Sequence, residues 1–482
     1  MLLAAVLAIG VQGIGRSLWL DEVWVANSVR QPTWSGMFFY PNWLQTTPPL
    51  FLTLARESTA VFGMSVVSLR LVPLALALVA VGATLALAWR IAAPSLALLA
   101  VTLLAFHPTA IDYWRSFKQY GGEAAAAAVL LLASVRYLKD SSRANYAWLV
   151  ATAAITSLLA YPVAFLVPGV GLAVYLSGAR RRAVMLAVFA CAWFLAIYVI
   201  FVRPNLAPEL RIYWAQQEDP GIRAWLLVML PFAVFATARA SLSIYRGTAA
   251  WRQWTALVCA LPCLLLAASS IAGLYPVIPR TRLFVLPGLL VLAALTAEDF
   301  LGKLNANGWS RRIVNTVAGV LCIGLGIQAM RSQFQASPAQ AQPEDLAAAV
   351  RFLEQHVGPH DLVLVHASVR EGFLFYSALD GWKSPPAVFG DTGWPCCARG
   401  RDARPGSSST HAVLEDLKAK IPNQPAGRIW LFYTARPTHW NYTGLDEANL
   451  WRKTIWESGC PAVSNFDFHA VEVTPMQCSA AP

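Results

Sequence analysis

Charge is what this chain has least of. Only 13% of its 482 residues are Asp, Glu, Lys or Arg, against roughly 25% in soluble globular domains. Hydrophobic residues make up 57%, so the composition is that of a polytopic membrane protein rather than a soluble one. No glycine-rich phosphate loop or dinucleotide fingerprint stands out, which leaves a nucleotide-binding reading without a motif. The cysteine spacing lacks a CxxC pair, which weakens a zinc reading. The amino terminus lacks a basic stretch and a clear small-x-small site, so its apolar run reads as a membrane helix rather than a cleaved signal. The net charge of +11 does not point to nucleic acid, because the basic residues lie mainly in short clusters between apolar runs. That is how topology is set in a bilayer.

What is present is a series of apolar runs near 1–15, 70–89, 93–107, 120–138, 145–160, 163–178, 183–202, 222–243, 253–274, 283–297 and 313–329. At roughly 20 residues per span, somewhat fewer inside a bundle, this predicts about eleven transmembrane helices. The stretch "PPLFLTLARESTAVF" at 48–62 carries Arg56 and Glu57 and reads as a helix lying in the membrane interface. Arg90, Lys139, Arg143, "RRR" at 180–182, Arg246, Arg252, Lys303, Arg311 and Arg312 then all fall on one side, the cytoplasmic one. If 48–62 crossed the bilayer, the parity of every later loop would flip and the triple arginine would face outward. Tryptophan, 19 residues in all, suits interfacial belts.

From about 331 the chain is a different material. "SQFQASPAQAQPED" is a polar linker. Leu346, Val350, Leu353 and Val357 then form one helical stripe that stops at Gly358. "DLVLVHAS" and "RIWLFYTA" read as strands, "REGFLFYSAL" and "HAVLEDLKAKI" as helices, and "ARGRDARPGSSST" as a loop. The alternation predicts a C-terminal α/β domain over 331–482, outside the cytoplasm, behind a membrane domain over 1–330. Cys191, Cys259, Cys263 and Cys322 fall in spans and read as packing residues. Cys396, Cys397, Cys460 and Cys478 fall in the tail, where an oxidising exterior allows two disulfides. Vicinal pairing is strained, so Cys396 and Cys397 are expected to bond separately to Cys460 and Cys478.

The outward loops hold the unusual residues. Asp21 and Glu22 stand side by side between Trp19 and Trp24, just past the first apolar run. Two carboxylates there are costly unless something uses them. The plain alternative is that Asp21 caps a juxtamembrane helix. "LWLDEVW", "TTPPLFLTL", "HPTAIDYWRSFKQY" and "YPVIPRTRLFVLP" follow one another in an order that resembles the GT-C glycosyltransferase superfamily. The branch it looks like includes the protein O-mannosyltransferases and the aminoarabinose transferases of lipid A. The likeness covers roughly residues 1–330.

The resemblance implies an inverting glycosyltransferase of the bacterial inner membrane, with a polyprenyl-phosphate sugar as donor. The catalytic carboxylate would be Asp21, a general base toward an acceptor hydroxyl, with Glu22 its neighbour in the acidic pair. Arg280, Arg282 and Lys118 would bind the donor phosphate; the plain reading of each is an interfacial cation that snorkels toward headgroups. Relatives carry an acidic residue two positions before this lysine, where Ser116 stands here, and Asp112 is one turn earlier as a substitute for it. Some relatives place a lysine before "PPL", where Thr47 stands. His107 reads as structural, and Glu123 as either a site residue or a helix terminus. No carboxylate cluster with metal spacing is visible, and a monophosphate donor has little need of a divalent metal. The acceptor is a glycan, a lipid or a protein, and the sequence does not choose. A transporter or flippase of a lipid-linked glycan is the second reading. It would call for internal repeats and broken helices at the midplane, which are not evident. A scaffold or sensor with an outward domain is the third.

Overall fold

The computed structural model describes residues 2–40, 46–206, 221–246, 250–275, 277–303, 308–335, 344–383, 387–389, 427–434 and 444–478, and it is mostly helical. Helix α1 (Leu2–Val11) is short and apolar, and a turn with Gly13 at φ 68° leads toward α2 (Leu20–Val29). Helices α3 (Trp34–Phe38) and α4 (Pro49–Phe62) follow. Proline at the first position of α4 gives up an N–H that no helix would use, and Gly63 at φ 80° ends it. Helix α5 (Val66–Ile91) starts at Ser65, whose hydroxyl accepts the Ser68 N–H at 3.1 Å.

Helices α6 (Pro94–Ala105) and α7 (Pro108–Trp114) are one apolar stretch bent by 60°. The bend falls at the His107–Pro108 step, where a proline cannot continue the ladder. Then come α8 (Tyr120–Lys139), α9 (Arg143–Leu159), α10 (Val163–Leu176) and α11 (Arg180–Ile197), the last prolonged by a π turn and a 3-10 turn to Asn205. Helices α12 (Gly221–Tyr245) and α13 (Trp251–Ile271) precede a 3-10 turn, Arg280–Val285, that feeds α14 (Leu286–Lys303); α15 (Gly308–Gln335) closes the series. Among the described residues six helices are long and apolar enough to cross a bilayer, or seven with the bent pair as one. Each of the eleven predicted spans falls on a helix. Several of these, α1 and α10 among them, are shorter than a full span.

Helix α8 is the centre of the bundle. Every residue from Tyr120 to Ala128 is buried. Its small residues allow that: a Cβ on Gly121 would meet Trp114 at 3.2 Å and the Tyr113 carbonyl at 3.3 Å. With 20 residues, α8 is about 30 Å long, so its two ends lie at opposite sides of the bundle. At the far end Lys139 sits over the Trp251 ring at 5.6 Å and the Arg182 carbonyl accepts the Tyr146 hydroxyl at 2.9 Å. Lys139 and Arg182, two of the predicted cytoplasmic cations, therefore lie at the end away from Tyr120.

After α15, α16 (Leu346–His356) is capped by Asp345, which accepts the Ala348 N–H at 3.1 Å. Strands β1 (Leu362–Val365), β2 (Ala387–Phe389), β3 (Arg428–Thr434), β4 (Phe466–Asp467) and β5 (Val471–Gln477) form one sheet in the order β2-β1-β3-β5-β4, with α17 (Ala367–Leu379) between β1 and β2 and α18 (Gly444–Glu457) between β3 and β4. β1 is parallel to β2 and β3, and β5 is antiparallel to β3 and β4. This is the helix–strand alternation read from the tail. The segments "HAVLEDLKAKI" and "ARGRDARPGSSST" lie outside the described residues.

One expectation is corrected. Cys460 and Cys478 are bonded to each other, not to Cys396 and Cys397. The segment after α18 runs back along β5: Ala462 pairs with Met476, and the Gln477 N–H donates to the Pro461 carbonyl at 2.9 Å. That pairing brings the two cysteine Cα atoms to 4.0 Å, within bonding reach. Cys396 and Cys397 lie outside the described residues.

Candidate active site

Three segments distant in sequence meet at the Tyr120 end of α8. The first is the opening turn of α2. Asp21 is its second residue, where a carboxylate faces the positive end of the helix dipole. The second is the turn between α7 and α8, in which the Lys118 N–H donates to the Ser116 carbonyl at 2.7 Å. The third is the 3-10 turn that begins at Arg280.

Arg280 Nη1 lies 3.4 Å from Asp21 Oδ2, and Lys118 Nζ lies 3.8 Å from the same oxygen. Lys118 Nζ also donates to the Asp21 backbone carbonyl at 3.2 Å. The Arg280 guanidinium sits 5.7 Å above the Tyr120 ring, which packs edge-on against Tyr113 at 4.8 Å. Lys118 is fully buried, and burial lowers its ammonium from 10.5 to about 8 even though Asp21 works the other way. Asp21 and Arg280 keep part of their side chains open to solvent.

Glu22 is placed differently. It is fully buried and accepts four hydrogen bonds: Arg70 Nη2 at 2.7 Å, Arg70 Nε at 3.2 Å, the Trp19 N–H at 3.2 Å and the Phe117 N–H. The Trp19 contact is the reach-back of a residue at the third helical position toward the N-cap. Arg70 lies in the first turns of α5. Its other N–H groups go to the carbonyls of Arg16 at 2.6 Å, Ile14 at 3.1 Å and Ser17 at 3.1 Å. This ion pair thus ties together the loop before α2, α5 and the residue next to Lys118.

Asp112 is two-thirds exposed and pairs with Arg115 at 3.3 Å, three residues on. Arg282 is half-buried and lies within electrostatic reach of His107. Glu123 is buried in the first turn of α8, and its Oε2 has no hydrogen-bond partner among the described residues. Ser116, in the slot where relatives are acidic, accepts from Arg16 at 3.2 Å. Thr47 is buried, and its carbonyl lies 3.5 Å from the Tyr161 hydroxyl.

Sequence reasoning missed Arg70. The signal was there: it is the only charged residue between Val66 and Trp89, and an ionisable side chain inside a span is rarely idle.

No protein-family model and no curated protein matches the sequence. Solved structures do match. The chain aligns with ArnT from Cupriavidus metallidurans in the apo state at a TM-score of 0.56 and 13% identity, over 98% of this chain and 97% of that one. With ArnT bound to undecaprenyl phosphate the values are 0.55 and 14%, over 100% and 98%. With the archaeal oligosaccharyltransferase AglB from Archaeoglobus fulgidus, solved with an inhibitory peptide and a dolichol-phosphate, they are 0.52 and 12%, over 98% and 73%. Over nearly its whole length, the chain has the fold shared by these two members of the GT-C superfamily.

Proposed function

We propose that the protein is a multi-pass inner-membrane glycosyltransferase that moves a sugar from a polyprenyl-phosphate donor to an acceptor hydroxyl outside the cytoplasm. The observation that carries this reading is the meeting of Asp21, Lys118 and Arg280 at one end of the bundle. The fold likeness to ArnT bound to undecaprenyl phosphate and to AglB bound to a dolichol-phosphate supports a lipid-linked donor. In this reading the eleven helices are spans over a membrane domain at 1–330. The site and the α/β domain at 331–482 face outward, opposite Lys139 and Arg182. The Cys460–Cys478 bond fits an oxidising compartment.

The donor phosphate draws Lys118 and Arg280 away from Asp21 and takes their charge. Asp21, so released, accepts the proton of the acceptor hydroxyl. The acceptor oxygen forms its bond to the anomeric carbon from the face opposite the phosphate, so the anomeric centre inverts. The bond from that carbon to the phosphate oxygen breaks, and its electron pair leaves on polyprenyl phosphate. The two cations stabilise the charge that develops there. Glu22 does not touch substrate; with Arg70 it positions Asp21 and Lys118. Asp112 and Arg282 stand at the rim, toward the acceptor and the headgroup region. The acceptor is a hydroxyl-bearing glycan, lipid or protein.

The test is to incubate purified protein with a panel of polyprenyl-phosphate sugars and identify products by mass spectrometry. Asp21→Asn should lower transfer by about 10²- to 10⁴-fold, the range for a lost general base. Undecaprenyl phosphate should bind this variant as well as before or better, since two cations are set free. Transfer at the wild-type rate by Asp21→Asn would remove the base from the mechanism.

A further inference from the structure

The C-terminal unit grips the segment that carries Asp21. The Leu18 N–H donates to the Tyr376 hydroxyl at 2.7 Å, and that hydroxyl lies 3.3 Å from Ser17 Oγ. Ser17 Oγ accepts the Ala347 N–H at 3.0 Å. The Leu20 N–H donates to Glu344 at 3.2 Å. At the other end of α2, Asn27 Nδ2 donates to the Glu371 backbone and to Glu371 Oε2, both at 2.9 Å, and the Tyr40 hydroxyl reaches the same oxygen at 3.0 Å. Ser17, Asn27, Glu344, Glu371 and Tyr376 are all buried.

The first N–H groups of a helix have no partner within it. Here one such group, on Leu20, is met by a carboxylate more than three hundred residues away in sequence. Two buried side chains of α17, Glu371 and Tyr376, reach opposite ends of one short helix. Burial pushes the Tyr376 phenol up to about 12, so it stays a hydroxyl at any working pH. These contacts fall on the backbone at Leu18 and Leu20 and on the side chains of Ser17 and Asn27. They bear on Asp21 through the backbone that carries it.

We propose that the C-terminal α/β unit is a clamp on the catalytic helix: Glu344, Glu371 and Tyr376 are positioning residues that hold both ends of α2 and so fix the Asp21 carboxylate opposite Lys118 and Arg280. The clamp rests on the reading of Asp21 given above. It makes the outward unit a working part of the membrane site, whatever it also does toward the acceptor. A small misplacement of a reacting group lowers turnover steeply while leaving binding determinants elsewhere intact.

The test uses full-length protein in detergent, comparing wild type with the Tyr376→Phe/Glu371→Gln double variant. Hydrogen exchange of amides 18–29 should quicken roughly tenfold, with the amides of α5 and α8 unchanged. Turnover of a polyprenyl-phosphate sugar should fall about tenfold in kcat, with KM and the Kd for undecaprenyl phosphate within twofold. Ser17→Ala loosens the same contact from the other side and should shift both readouts in the same direction by less; it serves if the double variant does not fold. Unchanged exchange over 18–29 refutes the clamp. Faster exchange with wild-type kcat refutes its bearing on Asp21. A parallel fall in kcat, phosphate binding and the protection of α5 would mean general destabilisation and also overturn it. If wild type turns over no donor, the enzymatic reading fails, while the exchange data still decide whether the clamp exists.

Discussion

Lys118 offers a measurement in which binding and stability move in opposite directions with pH. Its ammonium titrates near 8 instead of 10.5 because burial penalises the charge. About nine-tenths of the protein therefore carries the charge at pH 7 and about one-tenth at pH 9. If that charge holds the donor phosphate, affinity for undecaprenyl phosphate should fall by about tenfold over those two units, about 1.4 kcal/mol. The ligand changes little over this range, because the second pKa of a phosphate monoester is near 6 and about nine-tenths of it is already dianionic at pH 7. Folding follows the other sign. With the folded value below the unfolded one, the unfolded chain binds more protons between about pH 8 and 10.5. Stability should therefore rise through that window while donor affinity falls. The assay is a titration of purified protein with undecaprenyl phosphate at pH 7, 8 and 9, beside equilibrium denaturation in mixed micelles. In Lys118→Arg the slope should vanish, because a guanidinium does not titrate in this range. Equal affinity at pH 7 and 9, or the same slope in Lys118→Arg, would refute the assignment of Lys118 to the phosphate.

Arg70→Met should be severe, because it strands the buried Glu22 carboxylate and three backbone carbonyls. Breaking a buried pair from one side costs about 3–5 kcal/mol, to be read as a loss of folded protein in mixed-micelle denaturation. Adding Glu22→Gln should recover part of it, and a double variant no better than the single would sink the pairing argument. Cys478→Ser should loosen the C-terminal sheet, since the bond closes a loop with a sequence separation of 18. A loop of that size is worth about 3 kcal/mol, measurable as faster hydrogen exchange in β5; unchanged exchange there would place the stability of the strand elsewhere.

Hydropathy alone located the helices of the membrane part, since long apolar runs have few other uses and each predicted span falls on one. Their true lengths were less legible. The run at 93–107 reads as a span of its own, yet the chain bends at Pro108 and continues as α7. In the tail, strands β1 and β3 and helices α16 and α17 were readable from apolar runs and one helical stripe. The disulfide was not. Which cysteine meets which depends on the return of the chain along β5, and spacing in sequence does not encode it. The proximity of Asp21, Lys118 and Arg280 was legible only through topology, which sends their loops to one side, together with the resemblance of the surrounding motifs. Arg70 went unnoticed because it reads as the edge of an apolar run, and its partner is 48 residues earlier. The clamp was beyond reach for the same reason. Its contacts join residues separated by more than three hundred positions, with no pattern in either segment to announce them.

In the proposed mechanism the adjacent carboxylates at the head of α2 divide two tasks between them. Successive residues of a helix point about 100° apart. Asp21 and Glu22 therefore face different neighbours from one rigid turn. Glu22 faces inward and takes the Arg70 guanidinium and the Phe117 N–H. The Phe117 contact fixes the backbone of the residue beside Lys118, and the Arg70 contacts fix the loop that enters α2. One carboxylate thus sets the distance between the other and its lysine. An exchange of the two residues, Asp21→Glu with Glu22→Asp, keeps charge and composition but lengthens one arm and shortens the other by a methylene. The shorter carboxylate at 22 should then lose Arg70 or Phe117, and transfer from a polyprenyl-phosphate sugar should fall even though every charge is still present; transfer at the wild-type rate would refute this division of roles.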